Sequence, residues 1–307
     1  MQTAFLTAIS ELAAADQNVL FMTADNGTDY DILFSRNYPE QYFNLGIAEN
    51  NLVGMAAGCA SAGKIPFVMS GSAFLAFRSC EQIRDDVCLQ NRNVKLVGFG
   101  AGFSIARLGP THHATEDIGV LCAMPNLTVL SPATPKEVAQ AVRAAYETDG
   151  PVYIRMEMNG EPEFEREVPF AIGEPAEIAD GHDAVVYTTG SIWAEAMAAR
   201  EILAEKGCSL RIVNVKTLKP MDETKLAAAG NRISRVFTLE EHNVGCGLGM
   251  LVRNAYSKVG ACASITNIGL DDCFAGGYGT QAEVRAQNGL DANSVAQAIA
   301  EKLGLNT

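Results

Sequence analysis

Short apolar runs and helical repeats alternate from one end of the chain to the other. NVLFMTADNG, NVKLVGFGAG, LTVLSPAT and PVYIRMEM have the length and the closing turn residues of buried strands, while EVAQAVRAAYE and SCEQIRDDVCLQN carry helical periodicity. The tract MNGEPEFEREVPFAIGEPAEIADGHD then breaks the rhythm with prolines, glycines and charges, as a linker does. Beyond it the alternation restarts with DAVVYTTGS, a helix to Lys206, SLRIVNVKTL, RVFTLEEH, a helix begun by glycines, ASITNIGL and a last helix ANSVAQAIAEKLG. Strand–helix alternation of this kind predicts an α/β protein of two doubly wound domains with mainly parallel sheets. The expected boundaries are residues 1–165 and 181–307, joined by a linker over 166–180. No internal repeat or low-complexity segment is present.

Composition narrows the function classes. The 307 residues suffice for two cores, and a net charge of −13 opposes binding to nucleic-acid backbones. No apolar stretch reaches the roughly 20 residues of a spanning helix, and the N-terminus lacks the basic-then-apolar order of a signal peptide. The expectation is a soluble, cytoplasmic protein. The eight cysteines form no CxxC pair and fall mostly in apolar segments, so they are expected to be reduced, buried small residues. With four histidines and none at helical ligand spacing, a metal held by this chain alone is not expected.

Three stretches could carry chemistry. In NLGIAENNLVGMAAGCASAG a single carboxylate, Glu49, heads a run of small and apolar residues. It is either a first-turn acid favoured by the helix dipole or a buried carboxyl awaiting a partner, since an unpaired one costs several kcal/mol. In FVMSGSAFLAFRSCEQIRDD, Phe74 and Phe77 lie three apart after a strand, as core aromatics or as a platform for a flat heteroaromatic ring. In RLGPTHHATED, His112 and His113 follow a Gly-Pro turn on a loop beyond a strand, where parallel sheets bind ligands and where histidine can move protons near neutral pH.

Taken in order, GIAENN, SAFLAF with EQIR, GPTHH with ED, MPNLTVLSPATPKEV and GPVYIR resemble the pyrimidine-binding domain of transketolases. TLEEHNVGCGLG and GLDDCFAGGYG resemble the C-terminal domain of the same proteins. The resemblance spans nearly the whole chain, and specifically it is to the C-terminal subunit of a split transketolase. It implies that Glu49 bonds the aminopyrimidine ring of thiamine diphosphate and stabilises the imino tautomer that activates the thiazolium carbon. A carboxyl group in an apolar setting suits this, because it can share a proton with a weakly basic nitrogen. By the same resemblance Phe74 and Phe77 hold the pyrimidine, Asp25 lies near the thiazolium, His112 contacts donor hydroxyls and moves protons, and Arg155 anchors the substrate.

The departures are as informative. The family's GDG motif, which with a following asparagine holds Mg²⁺ and the diphosphate, is missing, so the resemblance implies that a partner chain supplies both. The expected unit is a heterotetramer, with the C-terminal domain supporting dimerisation away from the chemistry. Leu108 stands where the family has an acid for a sugar hydroxyl, Gly100 where it has a phosphate-contacting histidine, and MQTAFLTA lacks the family's phosphate arginine. A non-standard sugar follows: modified, sulfonated, deoxygenated or nucleotide-linked. Two other readings stay open. One keeps the cofactor in the beta subunit of a 2-oxoacid dehydrogenase or in a decarboxylating enzyme like deoxyxylulose-phosphate synthase. The other is a non-enzymatic paralogue that regulates a partner. The cluster Glu240, Glu241 and His242 is expected to be structural, since it sits at a strand-to-loop corner of the supporting domain.

Overall fold

The computed structural model describes residues 1–25, 29–158, 162–165 and 168–305, with the backbone alone for 29–31. Seven strands form the first sheet: β1 (Val19–Thr23), β2 (Tyr42–Asn44), β3 (Ile65–Gly71), β4 (Lys95–Phe99), β5 (Thr128–Leu130), β6 (Val152–Met156) and, from much later in the chain, β10 (Thr217–Lys219). Their order is β10-β5-β6-β4-β3-β1-β2, and every pairing is parallel except that of β10 with β5. Each side of β1 and β6 is buried, which is why these strands read as unbroken apolar runs rather than as alternation. The second sheet, of β7 (Ala176–Ala179), β8 (Ala184–Thr188), β9 (Leu210–Asn214), β11 (Arg235–Asn243) and β12 (Ser264–Leu270), runs in the order β12-β11-β8-β9-β7. The two doubly wound, mainly parallel sheets are those the sequence predicts.

Helices cover both faces of each sheet. Pro135–Glu147 shows how local chemistry sets their ends: the Thr134 hydroxyl accepts from Glu137 N, and Pro135 fills the first position, where no donor is needed. Segment Ile83–Cys88, read as helix, is a π-helical turn. One apolar core joins the halves, with Leu20, Val68 and Leu96 beneath the first sheet continuous with Val185, Val213 and Val236 beneath the second.

Two expectations need correction. The tract taken as a linker over 166–180 contributes β7, an edge strand antiparallel to β9, because Ala176 and its neighbours find an open sheet edge to pair with; residues 159–161 and 166–167 lie outside the described residues. Of the cysteines, only Cys88 and Cys208 are buried, while Cys246, Cys262 and Cys273 are exposed, since the loops and strand ends carrying them lie at the surface. No helix among the described residues is long and apolar enough to cross a membrane.

Candidate active site

A cleft of about 340 Å³ opens at the C-terminal ends of the parallel strands, where Asp25 follows β1, Gly71 closes β3, Phe99 closes β4 and Met158 follows β6. Glu49 lies at its base as the first residue of helix Glu49–Ser61, whose buried face of Leu52, Val53, Ala56 and Ala57 packs into the core. Burying that face carries the carboxylate inward to 3% exposure. Both of its oxygens accept from Arg78 Nη1, at 3.1 and 3.0 Å. Glu49 is therefore both the first-turn acid and the partnered buried carboxyl.

Arg78 went unnoticed in the sequence. It ends helix Ser72–Arg78, one turn beyond Phe74, and its guanidinium carbon sits 4.3 Å from the centroid of the Phe74 ring. The four-residue spacing from Phe74 was the available signal. Phe74 and Phe77 part company: Phe74 lines the cleft, whereas Phe77 is 41% exposed and outside its wall. Although i and i+3 lie within about 60° of one another around a helix, only Phe74 reaches the cleft wall, and the platform expected of the pair rests on Phe74 alone.

Asp25 stands on the cleft wall in the left-handed region, at φ 53°, with its N–H donating to Asn44 Oδ1 at 3.1 Å. His112 and Leu108 arrive on the loop after β4. Gly102 and Ala114 close the base of that loop with two reciprocal N–H to O=C bonds of 3.1 Å, and Phe103 N donates to Glu241 Oε2 at 2.7 Å. His112 is held by the Thr111 hydroxyl, 2.9 Å from its Nδ1, and by an edge-on contact with Phe74, centroids 5.0 Å apart. Gly100 is explained locally: at φ 78° a side chain there would collide with Ile105. Gly102 is tighter still, since at φ 57° a Cβ would lie 2.3 Å from Glu241 Oε2. Gly102→Ala is accordingly expected to lower stability by about 1–3 kcal/mol, through overpacking and the left-handed backbone. A urea midpoint unchanged from wild type would show the junction to be looser than described.

Residues 1–159 match the pyrimidine-binding domain of transketolase and residues 173–295 its C-terminal domain. The chain belongs to the transketolase family. It is 36% identical over 266 residues to a subunit of the apulose-4-phosphate transketolase of Actinobacillus succinogenes, covering 85% of each chain. It is 30% identical to the 6-deoxy-6-sulfo-D-fructose transketolase subunit SqwH of a Clostridium species, over 98% of this chain and 94% of that one. Among solved structures, a split-gene transketolase described as an inactive β4 tetramer superposes with a TM-score of 0.87 at 31% identity, over 100% of this chain and 98% of that one.

Within this transketolase fold Arg155 does not do what the resemblance implied. Its guanidinium is 2% exposed and faces away from the cleft. Nε donates to both oxygens of Asp117 at 3.2 and 3.0 Å, and Nη2 donates to Ala114 O at 3.0 Å. The alternation of β6 points Arg155 into the junction between the domains, and all its described partners are internal. It thus anchors the far end of the loop that carries His112.

The same junction absorbs the Glu240–His242 cluster. Burial pushes His242 down to about 4, so the neutral ring accepts from Ile118 N at Nε2, 3.1 Å away. Gly249 N donates to Glu240 at 2.8 Å, and Gln281 Nε2 bridges Glu241 and Glu157 at 3.0 Å each. Burial, followed by the neighbouring Glu241 carboxylate, pushes Glu157 upward. None of the three lines the cleft. Met158, the first cleft residue after this junction, was also missed; nothing in its local sequence marks it.

Proposed function

We propose that this chain is the pyrimidine-plus-C-terminal subunit of a thiamine-diphosphate-dependent transketolase that moves a two-carbon ketol unit from a ketose to an aldose. The observation that carries the reading is a buried carboxylate, Glu49, at the base of an apolar cleft beside the Phe74 ring and within the same walls as His112. Those residues fit an aminopyrimidine, a flat ring that needs apolar faces and one carboxyl at its edge. They do not fit the rest of the cofactor: no group of three metal-ligating side chains occurs among the described residues, and the sequence has no GDG. Mg²⁺ and the diphosphate fall to a partner subunit.

When bound, thiamine diphosphate supplies the electron sink for breaking and remaking the carbon–carbon bond. Glu49 would share a proton with the pyrimidine ring nitrogen, Phe74 would cover a face of that ring, and Asp25 would serve the thiazolium end. His112, oriented by Thr111, takes and returns the proton of the sugar hydroxyl next to the cleaved bond. Leu108, 55% exposed, offers that sugar an apolar contact, which supports a substrate other than the standard phosphosugars. The apulose-phosphate and sulfofructose activities in the names of two relatives point the same way. The exposed face of helix Glu49–Ser61, with Asn50, Asn51, Met55 and Gly58, is a surface of the kind a neighbouring subunit packs against. We take the working unit to be two copies of each chain.

Calorimetric titration of thiamine diphosphate with Mg²⁺ tests the division of labour. No heat is expected with this chain alone and saturable binding with the co-purified partner. Tight binding to the lone chain would overturn the split site. Carbon dioxide release from a 2-oxoacid, without ketol transfer, would replace the transketolase reaction by a decarboxylating one.

A further inference from the structure

The C-terminal domain, expected to support dimerisation away from the chemistry, reaches the loop that carries His112. The contact is made by Tyr278, whose ring lies against Gly109: a Cβ there would stand 2.3 Å from Tyr278 Cε1 and 2.9 Å from Cζ. Gly109 is buried, although Leu108 before it and Thr111 beyond it are exposed. With φ at 74° as well, the position admits no side chain unless the ring or the backbone gives way.

Gly109 opens the turn that presents His112. Its carbonyl accepts from His112 N at 2.9 Å, and its own N–H donates to Ala106 O at 3.2 Å. Pro110 takes the second position of the turn, where its fixed φ is favoured. A surface turn closed by so few backbone bonds opens readily unless something packs on it. Tyr278 is itself held on both sides. Two residues before it, Gly276 N donates to Asn288 Oδ1 at 3.2 Å and Gly276 O accepts from Asn288 Nδ2 at 3.1 Å. Two residues after it, Thr280 and Glu283 form a reciprocal capping box at the start of helix Gln281–Gln287.

We infer that Tyr278 is a positioning residue for His112: the second domain presses its ring onto Gly109 and so fixes where the imidazole stands in the cleft wall. The nearest atoms are ring carbons, so phenylalanine can take the place of tyrosine and alanine cannot. A group that moves protons loses rate steeply when displaced, about 100-fold for 1 Å in unfavourable cases. The inference rests on the transketolase reading for what His112 does, but the hold of the ring on the turn can be measured without turnover.

The full chain, purified with its partner subunit, is compared as wild type, Tyr278→Ala and Tyr278→Phe. Hydrogen exchange over residues 104–112 is expected to quicken about tenfold in Tyr278→Ala and to stay within about twofold of wild type in Tyr278→Phe. With D-xylulose 5-phosphate as the probe donor, kcat should fall about tenfold or more in Tyr278→Ala and recover in Tyr278→Phe. Affinity for thiamine diphosphate with Mg²⁺ should hold within about twofold in both, because Glu49 and Phe74 stand on other elements. Exchange in Tyr278→Ala no faster than in wild type would overturn the inference whatever the activity. Faster exchange with kcat unchanged would overturn it too, by showing that His112 needs no such support. A joint fall in melting temperature, kcat and cofactor affinity would reduce the tyrosine to a structural contact. Absence of ketol transfer in the wild type counts against the transketolase reading instead, and the exchange arm then decides the hold of the ring by itself.

Discussion

Glu49→Gln is expected to abolish turnover of the assembled enzyme, by about 10³-fold or more, while leaving the fold intact. General acid–base groups contribute about 10²–10⁴-fold, and of the two carboxyls lining the cleft, Asp25 and Glu49, this is the buried one. The amide keeps the shape and can still accept from Arg78, but it cannot give a proton to a ring nitrogen and take it back. Stability should change little. The Arg78 side chain is 48% exposed, so water can solvate the cation once its partner is neutral, and an ion pair so open to solvent contributes on the order of 1 kcal/mol or less. Steady-state ketol transfer and a thermal melt on the same preparation make the check. Activity within threefold of wild type would remove Glu49 from the mechanism. A collapsed melting curve would mean that the Arg78 pair holds the helix in place and that the kinetic result says nothing about proton transfer.

The second large effect is structural and lies at the domain junction. Asp117→Ala should cost about 3–5 kcal/mol, because it strips the buried Arg155 guanidinium of its carboxylate where water cannot replace it. The Tyr153 hydroxyl, which donates to Asp117 Oδ2 at 3.0 Å, loses its acceptor at the same time. Converting both partners, Asp117→Ala with Arg155→Met, should recover much of the loss, since no charge is then left buried. Urea denaturation of the single and double variants reads this directly. A single variant within 1 kcal/mol of wild type would refute the anchoring role. Because Arg155 also holds Ala114 O at the end of the His112 loop, the single variant should lose activity under conditions where it is still folded.

The fold was legible because doubly wound parallel sheets write themselves as unbroken apolar runs separated by helices, and Val19–Thr23 and Val152–Met156 are such runs. Glu49 was legible for a related reason: one charge heading an apolar run must meet something. What stayed hidden depends on direction rather than pattern. Which of Phe74 and Phe77 reaches the cleft, and the pairing of Glu49 with Arg78, depend on how helix Ser72–Arg78 sits against that cleft. The inward aim of Arg155 depends on which face of β6 meets the second domain, a fact set by residues more than 80 positions away, such as Glu241, whose carbonyl also accepts from Arg155 at 3.5 Å. Strand β7 was missed because Pro, Gly and charge around it mimic a linker, while the pairing that orders it comes from β9.

Strand β10 belongs by position to the second half and by pairing to the first sheet, where it covers the outer edge of β5. Modularity is therefore weaker here than two domain-sized matches suggest. An excision at the apparent boundary would leave the first unit with a bare strand edge, free to recruit a strand from another molecule, and the second with an orphaned segment. Chimeras that exchange C-terminal units between relatives carry over a strand of the catalytic sheet whether or not that is intended, so any change in specificity they report comes in part from the sheet beneath the cleft.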